Sequence, residues 1–364
     1  MAIERAARKL GLPAPRRMAR DAKRPNLLLE IGRGDRTLLL GAHTDTVPPG
    51  APESWLADPY TLSERGELYT GLGVADMKGA IAALLLAVSD CDLPPDSRLL
   101  LVFAADEEGS ADYGMGWLCR EGLLNADAAV LFEPGSSTDE SWDALYLAER
   151  GSCVLKLIAS GTPGHSGHPI PHSSRAGMPF ISALAALQDS DLFAKHTHPL
   201  DGTPPLVNLP TMVLGGVTPW QHPETLEAIV EIRTVPGMTE RGTIETVETV
   251  LRSAGLSDRV RLDVRSWGEP TPVLDDQLLI SAGRRALRAT IGHEPPVGVF
   301  PAATDAGYLV AAGIPTLPAL GPGTMQAIHR PNEWLRVGDL ELAVTLIRTL
   351  IEAYFREDPA VASG

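Results

Sequence analysis

Gly41-Ala42-His43-Thr44-Asp45-Thr46-Val47-Pro48 follows an apolar run, Thr37-Leu38-Leu39-Leu40, and together they decide the fold class. The run reads as a buried strand. A strand that ends in His-x-Asp brings an imidazole and a carboxylate to its carboxyl edge, where open α/β sheets bind their ligands. His43 and Asp45 stand at i and i+2, so they face the same way if extended. An Asp there can orient the His or bind a metal beside it. His-x-Asp alone is a weak signal. Its weight comes from the acidic and His sites that follow other strand-like runs.

Those runs alternate with helical patterns. Residues 26–31, 37–40, 98–104 and 128–132 read as strands, and the Ala/Leu-rich stretch 78–88 reads as a buried helix. The alternation predicts an α/β domain with a mixed sheet flanked by helices. The character changes near Gly151. Residues 152–160 alternate like an antiparallel strand, followed by a helix at 178–188, strands at 211–214 and 226–234, a helix at 239–254 and a strand at 260–266. That order is ferredoxin-like. From about Asp275 the α/β character returns. The expectation is a discontinuous α/β domain, residues 1–150 and 270–364, interrupted by an inserted ferredoxin-like α+β domain at 151–269. The Pro-rich stretch 198–210 reads as an ordered loop.

Composition narrows the function classes. The chain has 364 residues, enough for a large core and two domains. A net charge of −15 argues against a nucleic-acid-binding face, which needs clustered Lys and Arg. No apolar run is long enough to span a membrane, and the N-terminus lacks the order of a secretory signal. Cys91, Cys119 and Cys153 are scattered and form no CxxC pair. That pattern suits small buried hydrophobes in a reducing cytoplasm and argues against a thiolate metal site.

The chemistry lies in loops after strands. Asp76, in Gly71-Leu72-Gly73-Val74-Ala75-Asp76-Met77-Lys78-Gly79, enters the Ala/Leu helix and reads on its own as an N-cap. No third Gly follows at the spacing of a dinucleotide fingerprint, which weakens a dehydrogenase-like reading. Asp106-Glu107-Glu108 and Glu133 each end an apolar strand. Near the C-terminus, Gly321-Pro322-Gly323 leads to His329 and then to Pro331-Asn332-Glu333. Each segment has a bland explanation when taken singly. Together, two His and several carboxylates suit two divalent ions, most naturally zinc. A carboxylate between the ions lets them sit about 3.5–4 Å apart. Of two adjacent Glu residues, one can bind metal while the other stays free as a general base.

These motifs resemble the M20 family of zinc-dependent peptidases and amidohydrolases, a group that includes deacetylases, desuccinylases, aminoacylases and carboxypeptidases. The resemblance runs from about Asn26 to the C-terminus. It includes Trp55-Leu56-Ala57-Asp58-Pro59-Tyr60, residues 68–79, Asp106-Glu107-Glu108-Gly109, Glu133-Pro134, residues 161–165, Glu231-Ile232-Arg233, Ala303-Thr304-Asp305 and Gly313-Ile314-Pro315. Carried over by position, it implies that His43 and Glu133 hold one zinc, that Glu108 and His329 hold the other, and that Asp76 bridges them. Glu107 would be the general acid/base, and Asp45 would fix the tautomer of His43. His165 would stabilise an oxyanion in the partner subunit's site. Arg233 would bind a substrate carboxylate through two parallel hydrogen bonds. Backbone N–H groups near Gly323 could approach the same ligand. His168, His172, His196, His198, His222 and His293 are expected in loop or surface roles.

The implied protein is a cytoplasmic homodimer, paired through an inserted lid and dimerisation domain. It would hold two Zn2+ per subunit, with Co2+ able to substitute, and would bind neither nucleic acid nor membrane. Its substrate would be a small N-acyl amino acid or a dipeptide. By the same resemblance, Glu rather than Asp at position 133 leans toward acyl-amino-acid hydrolases and carboxypeptidases and away from aminopeptidases. A carboxypeptidase or dipeptidase is the alternative, followed by an inactive metal-binding dimer serving as a binding module. Two features depart from the family pattern. Trp220 stands where the family usually has Asn, so either Gln221 substitutes or the pocket is shaped differently. The family's initial helix and Ser-x-x-E segment, ahead of the region matching residues 6–12, are expected to be missing, which would leave apolar surface exposed.

Overall fold

Leu38, Leu39 and Leu40 are all fully buried, so neither face of their strand meets water. Consecutive burial of this kind requires a sheet covered on both sides. The computed structural model, which describes residues 2–109 and 111–356, contains such a sheet. Its six strands run in the order Arg16–Met18, Asn26–Gly32, Ser97–Ala104, Arg36–His43, Ala128–Leu131 and Thr316–Leu317. Ser97–Ala104, Arg36–His43, Ala128–Leu131 and Thr316–Leu317 are mutually parallel, and Asn26–Gly32 and Arg16–Met18 continue the sheet antiparallel. The sheet is therefore mixed, as expected.

Met115, Leu118, Ala306 and Leu309 pack against Leu28, Leu39, Leu100 and Leu131 on one face. The Ala/Leu-rich helix Gly79–Ser89 packs against Arg36–His43 and, with Gln277–Ile291 and Val337–Arg356, forms a further helical layer. Asp276 caps Gln277–Ile291 by accepting a hydrogen bond from Leu279 N, and Gly292 closes it at φ 80°. The N-terminal residues Ala2–Lys9 form a helix. An apolar groove of about 660 Å³ beside it is lined by Ile3, Ala6, Leu27, Ile81 and Leu85 among others.

The chain divides into two units. One comprises Met1–Glu149, Val273–Phe300 and Thr304–Gly364, and the other Arg150–Pro272 with Pro301–Ala303. The second unit holds an antiparallel sheet in the order Leu206–Leu214, Thr225–Thr234, Gly151–Ser160 and Val260–Gly268, with helices Gly177–Gln188 and Glu240–Ser253. This is the ferredoxin-like order. Cys153, Leu155, Leu157 and Ala159 alternate into a core completed by Phe180, Leu187, Val247 and Leu251.

The loop expected at 198–210 is shorter than read, because the edge strand begins at Leu206. Pro210 misled the reading. It lies where the pairing register shifts between Asn208 and Met212, and an edge strand tolerates its missing N–H there. His198, expected in a loop or at the surface, lies in the loop but is buried.

Leu101, fully buried in the sheet, provides a test of the core. Leu101→Ala is expected to lower stability by about 2–5 kcal/mol, the usual cost of such a cavity. Urea denaturation of the metal-free protein measures it, and a loss under about 0.5 kcal/mol would contradict the placement.

Candidate metal centre

Parallel pairing explains why distant residues meet. Ser97–Ala104 and Ala128–Leu131 flank Arg36–His43, with His43 opposite Ala104 and Gly41 opposite Leu131. The chain therefore leaves all three strands at one edge. His43 is the last residue of its strand, Asp106 to Glu108 follow Ala104, and Glu133 follows Leu131. Asp76 arrives from an irregular turn, Val74–Lys78, and has non-helical angles of φ −122° and ψ 85°. It caps no helix, since the helix that follows has no side-chain cap. His329 comes from the C-terminal loop, held at φ 55°.

Asp76 is the centre of the arrangement. Its Oδ1 lies 2.8 Å from His43 Nε2, and its Oδ2 lies 3.1 Å from His329 Nε2. Glu133 Oε1 is 3.8 Å from His43 Nε2, and Glu108 is 3.2 Å from His329 Nε2. His43, Asp76 and Glu133 form one group able to hold a metal ion, and Asp76, Glu108 and His329 form another. Nitrogen and carboxylate donors without thiolate suit zinc. The arrangement brings together the expected ligands His43, Asp76, Glu108, Glu133 and His329.

The electrostatics show a site short of positive charge. Burial pushes Glu133 up to about 8. Burial, and then the neighbouring Glu133, holds Glu107 well above the usual carboxylate range. Asp305 is buried, has an unpartnered oxygen, and is pushed up to about 7 by desolvation. Burial opposes ionisation of Asp76, but hydrogen bonds from His329 and His43 overcome it and hold the carboxyl low. Hydrogen bonds to Asp76 and Glu108 raise His329 to about 10. Burial works against the imidazolium of His43, but Glu133 and Asp76 more than offset it. Protonated imidazoles thus supply the positive charge that cations could supply instead.

Two carboxylates brace the loops. Asp45, expected to fix the tautomer of His43, places its main-chain carbonyl 3.1 Å and its carboxylate Oδ1 3.7 Å from His43 Nδ1. Its carboxylate accepts hydrogen bonds from the backbone N–H groups of Glu107 and Glu108, each at 3.1 Å. The chain turns after His43, so the carbonyl of Asp45 is the nearer group to Nδ1. Glu333, quoted in the sequence without a role, accepts from Gly73, Ala75 and Asp76 N. Arg24, which no motif singled out, forms an ion pair with Asp106 beside the adjacent Glu residues. Its signal was invisible because it comes from a loop outside every motif.

Two glycines are required by close approach. A Cβ on Gly321 would lie 2.0 Å from the Phe132 carbonyl oxygen. A Cβ on Gly73, at φ 74°, would lie 2.4 Å from Thr46 Cγ2. Gly323 lies against Ala75, next to Asp76.

His165 and Arg233 belong to the second unit. The short strands Gly164–His165 and Gln221–His222 pair antiparallel, and Trp220 O accepts from Ser166 N. Gly167 N donates to His165 Nδ1 at 3.0 Å, which leaves the ring proton on Nε2. Arg233 Nη2 lies 2.7 Å from Glu231 Oε1, so a carboxylate already engages its guanidinium.

A sequence model of peptidase family M20/M25/M40 matches residues 39–353. Succinyl-diaminopimelate desuccinylase of Xanthomonas oryzae pv. oryzae (strain PXO99A) is 31% identical over 337 residues, covering 90% of this chain and 86% of that protein. The enzyme of the same name from Methylobacterium sp. (strain 4-46) is 28% identical over 352 residues, covering 93% and 85%. Among solved structures, an M20 family metallo-carboxypeptidase from Sulfolobus solfataricus superposes with a TM-score of 0.78 at 17% identity, covering 97% of this chain and 92% of its own. The di-peptidase Dug1p from Saccharomyces cerevisiae gives 0.83 at 16% identity, covering 98% and 90%. At those identities the structural likeness speaks for the fold alone.

The charge pattern predicts how metal binding depends on pH. A metal ion takes the neutral imidazole, whereas His329 in the metal-free site stays protonated up to about 10. Loading therefore releases protons, and apparent affinity rises with pH through the neutral range. Calorimetric zinc titration in two buffers of different ionisation enthalpy measures the release. A pH-independent affinity with no proton release would contradict this charge assignment.

Proposed function

The chain belongs to peptidase family M20/M25/M40 and is a hydrolase of that family, and from that premise we propose that it is a two-zinc amidohydrolase acting on N-acyl amino acids. The observation that carries this reading is Asp76, whose two carboxylate oxygens each meet a different imidazole. His43 and Glu133 would hold one ion, and Glu108 and His329 the other. When bound, the two ions would offset the buried carboxylates, acidify water and polarise the substrate carbonyl.

The chain's own residues then divide the work. Glu107 takes a proton from water and passes it to the departing amine. Its backbone is held by the Asp45 carboxylate, so the base has a fixed position before substrate arrives. The Nε2–H of His165 donates, in the partner subunit's site, to the oxygen that gains charge. Arg233 binds the substrate carboxylate, with Glu231 keeping the guanidinium oriented until it is engaged. Gly323 supplies close backbone approach beside Asp76. The relatives' name points to N-succinyl amino acids as the first acyl class to try.

In the same reading, residues 1–150 and 270–364 form the catalytic domain, and 151–269 form a lid that also pairs two subunits. An exposed apolar surface on the second unit supports the pairing. Met212, Val213 and Leu214 on the edge strand and Met178 and Ile181 on helix Gly177–Gln188 are 47–62% exposed. A cytoplasmic location fits the free thiols Cys91, Cys119 and Cys153. Among the described residues no helix is long and apolar enough to cross a membrane.

Glu107→Ala is expected to keep its zinc and lose about 10²–10⁴-fold in kcat, the usual contribution of a positioned base. Amine release from N-succinyl, N-acetyl and N-formyl amino acids and from dipeptides measures it. Near-normal turnover in the variant would refute the base assignment, and a preference for dipeptides would refute the deacylase reading. Met212→Lys with Ile181→Glu is expected to convert a homodimer to monomer in sedimentation velocity. A wild-type monomer, or a double variant that stays dimeric, would contradict pairing through this surface.

A further inference from the structure

Glu333 stands four residues after His329 and reaches into the loop that carries Asp76. Its carboxylate accepts hydrogen bonds from the backbone N–H of Gly73 at 2.6 Å, Ala75 at 2.9 Å and Asp76 at 3.0 Å. Its main-chain carbonyl accepts from Gly71 N at 3.1 Å. The residue is 2% exposed. One side chain thus holds the peptide groups on the approach to Asp76 and the N–H of Asp76 itself.

The surrounding chain leaves little slack. Just after Glu333, Trp334–Arg336 pairs antiparallel with Leu68–Thr70, placing Trp334 opposite Thr70. Asn332, just before it, accepts from Leu56 N and donates to Ser54 O. The segment that carries His329 is therefore tied on one side of Glu333 to Leu68–Thr70, just ahead of the Asp76 turn, and on the other side to Ser54 and Leu56. A bridging carboxylate must keep its two oxygens at one spacing from two sets of ligands, and small displacements of such a group are costly to function. The turn Val74–Lys78 has no side-chain cap from the residue that precedes it. Within it, Val74 N donates to the Gly71 carbonyl, and the next two N–H groups, of Ala75 and Asp76, donate to Glu333.

We propose that Glu333 is a positioning residue that sets the carboxylate of Asp76 between the two metal ions. The role rests on the two-metal reading of the site. It differs from simple bracing of the fold in what it controls. Bracing alone would affect stability, whereas positioning would alter metal affinity and the ligand field of a folded protein.

The test uses the full chain as wild type, Glu333→Gln, Glu333→Asp and Asp76→Asn, each stripped of metal. Zn2+ is titrated against a chromophoric chelator, and Co2+ loading is followed by visible absorption. Gln keeps the volume but turns an amide N–H2 toward backbone N–H groups. Folded Glu333→Gln, judged by circular dichroism, is expected to bind Zn2+ about 10–100-fold more weakly, the usual loss when a group supporting a ligand is removed. Its Co2+ spectrum is expected to differ from wild type. Should the Gln variant not fold, Glu333→Asp keeps both oxygens but withdraws them, and the same two changes are expected. Wild-type Zn2+ affinity and an unchanged Co2+ spectrum in a folded variant would overturn the positioning role, and so would loss of folding in both variants. If the wild type binds fewer than two Zn2+, the two-metal reading falls and this role falls with it; if Asp76→Asn still binds two Zn2+ with wild-type affinity, Asp76 does not join the ions and the positioning role alone falls. If Asp76→Asn loses the pair while Glu333→Gln matches wild type, only the role of Glu333 is wrong.

Discussion

The carboxylate of Asp76 is the constraint on which the rest of the structure depends. Each of its oxygens faces a different imidazole, from His43 on one side and His329 on the other. Those two histidines are separated by most of the chain. One ends a central strand, and the other lies in a loop ahead of the last helix. For a single carboxylate to reach both, the parallel edge, the irregular turn and the C-terminal loop must be placed to within a fraction of an ångström. A fold that did only this would be strained by it, because Glu107, Glu133 and Asp305 are driven toward neutrality in the same place. Such crowding of buried acids is a liability for stability. It makes sense where positive ions are to be held.

The site is solved loop by loop with the same device. Backbone N–H groups of one loop of the candidate site are bound by a carboxylate from another. Asp45 does this for Glu107 and Glu108, and Glu333 does it for Gly73, Ala75 and Asp76. Backbone donors stabilise an ionised carboxylate without introducing a competing cation. The bracing groups therefore do not neutralise the ligands they support. Arg24, paired with Asp106, is a cation brought to the rim of the loop that bears Glu107.

Much of this was legible in the sequence. The central strands could be read because both faces are buried and their residues are continuously apolar, as in Leu38 to Leu40 and Leu99 to Phe103. The metal-ligand candidates could be read because each follows such a strand or stands in a glycine-rich loop. What could not be read depends on turns. How Asp45 divides its carbonyl and carboxylate between His43 and the N–H groups of Glu107 and Glu108 depends on how the chain bends after the strand. Local residue types do not specify that bend. The edge strand from Leu206 was hidden by Pro210, whose tolerance depends on an irregular register with its neighbour. Asp305 stands in a quoted motif that gave it no role, and Arg24 carries no local pattern, since its pairing with Asp106 is set by packing between segments far apart in the chain. Trp220 remains informative for the same reason: its carbonyl ties its loop to the segment of His165, a contact the motif alone does not imply.

The most direct test of the account is a crystal structure of the zinc-loaded protein with anomalous data collected at the zinc edge. A metal pair joined by Asp76 gives two peaks about 3.5–4 Å apart, the spacing of two-metal hydrolases, with one oxygen of Asp76 on each. A single peak, or two peaks that Asp76 does not join, would contradict it.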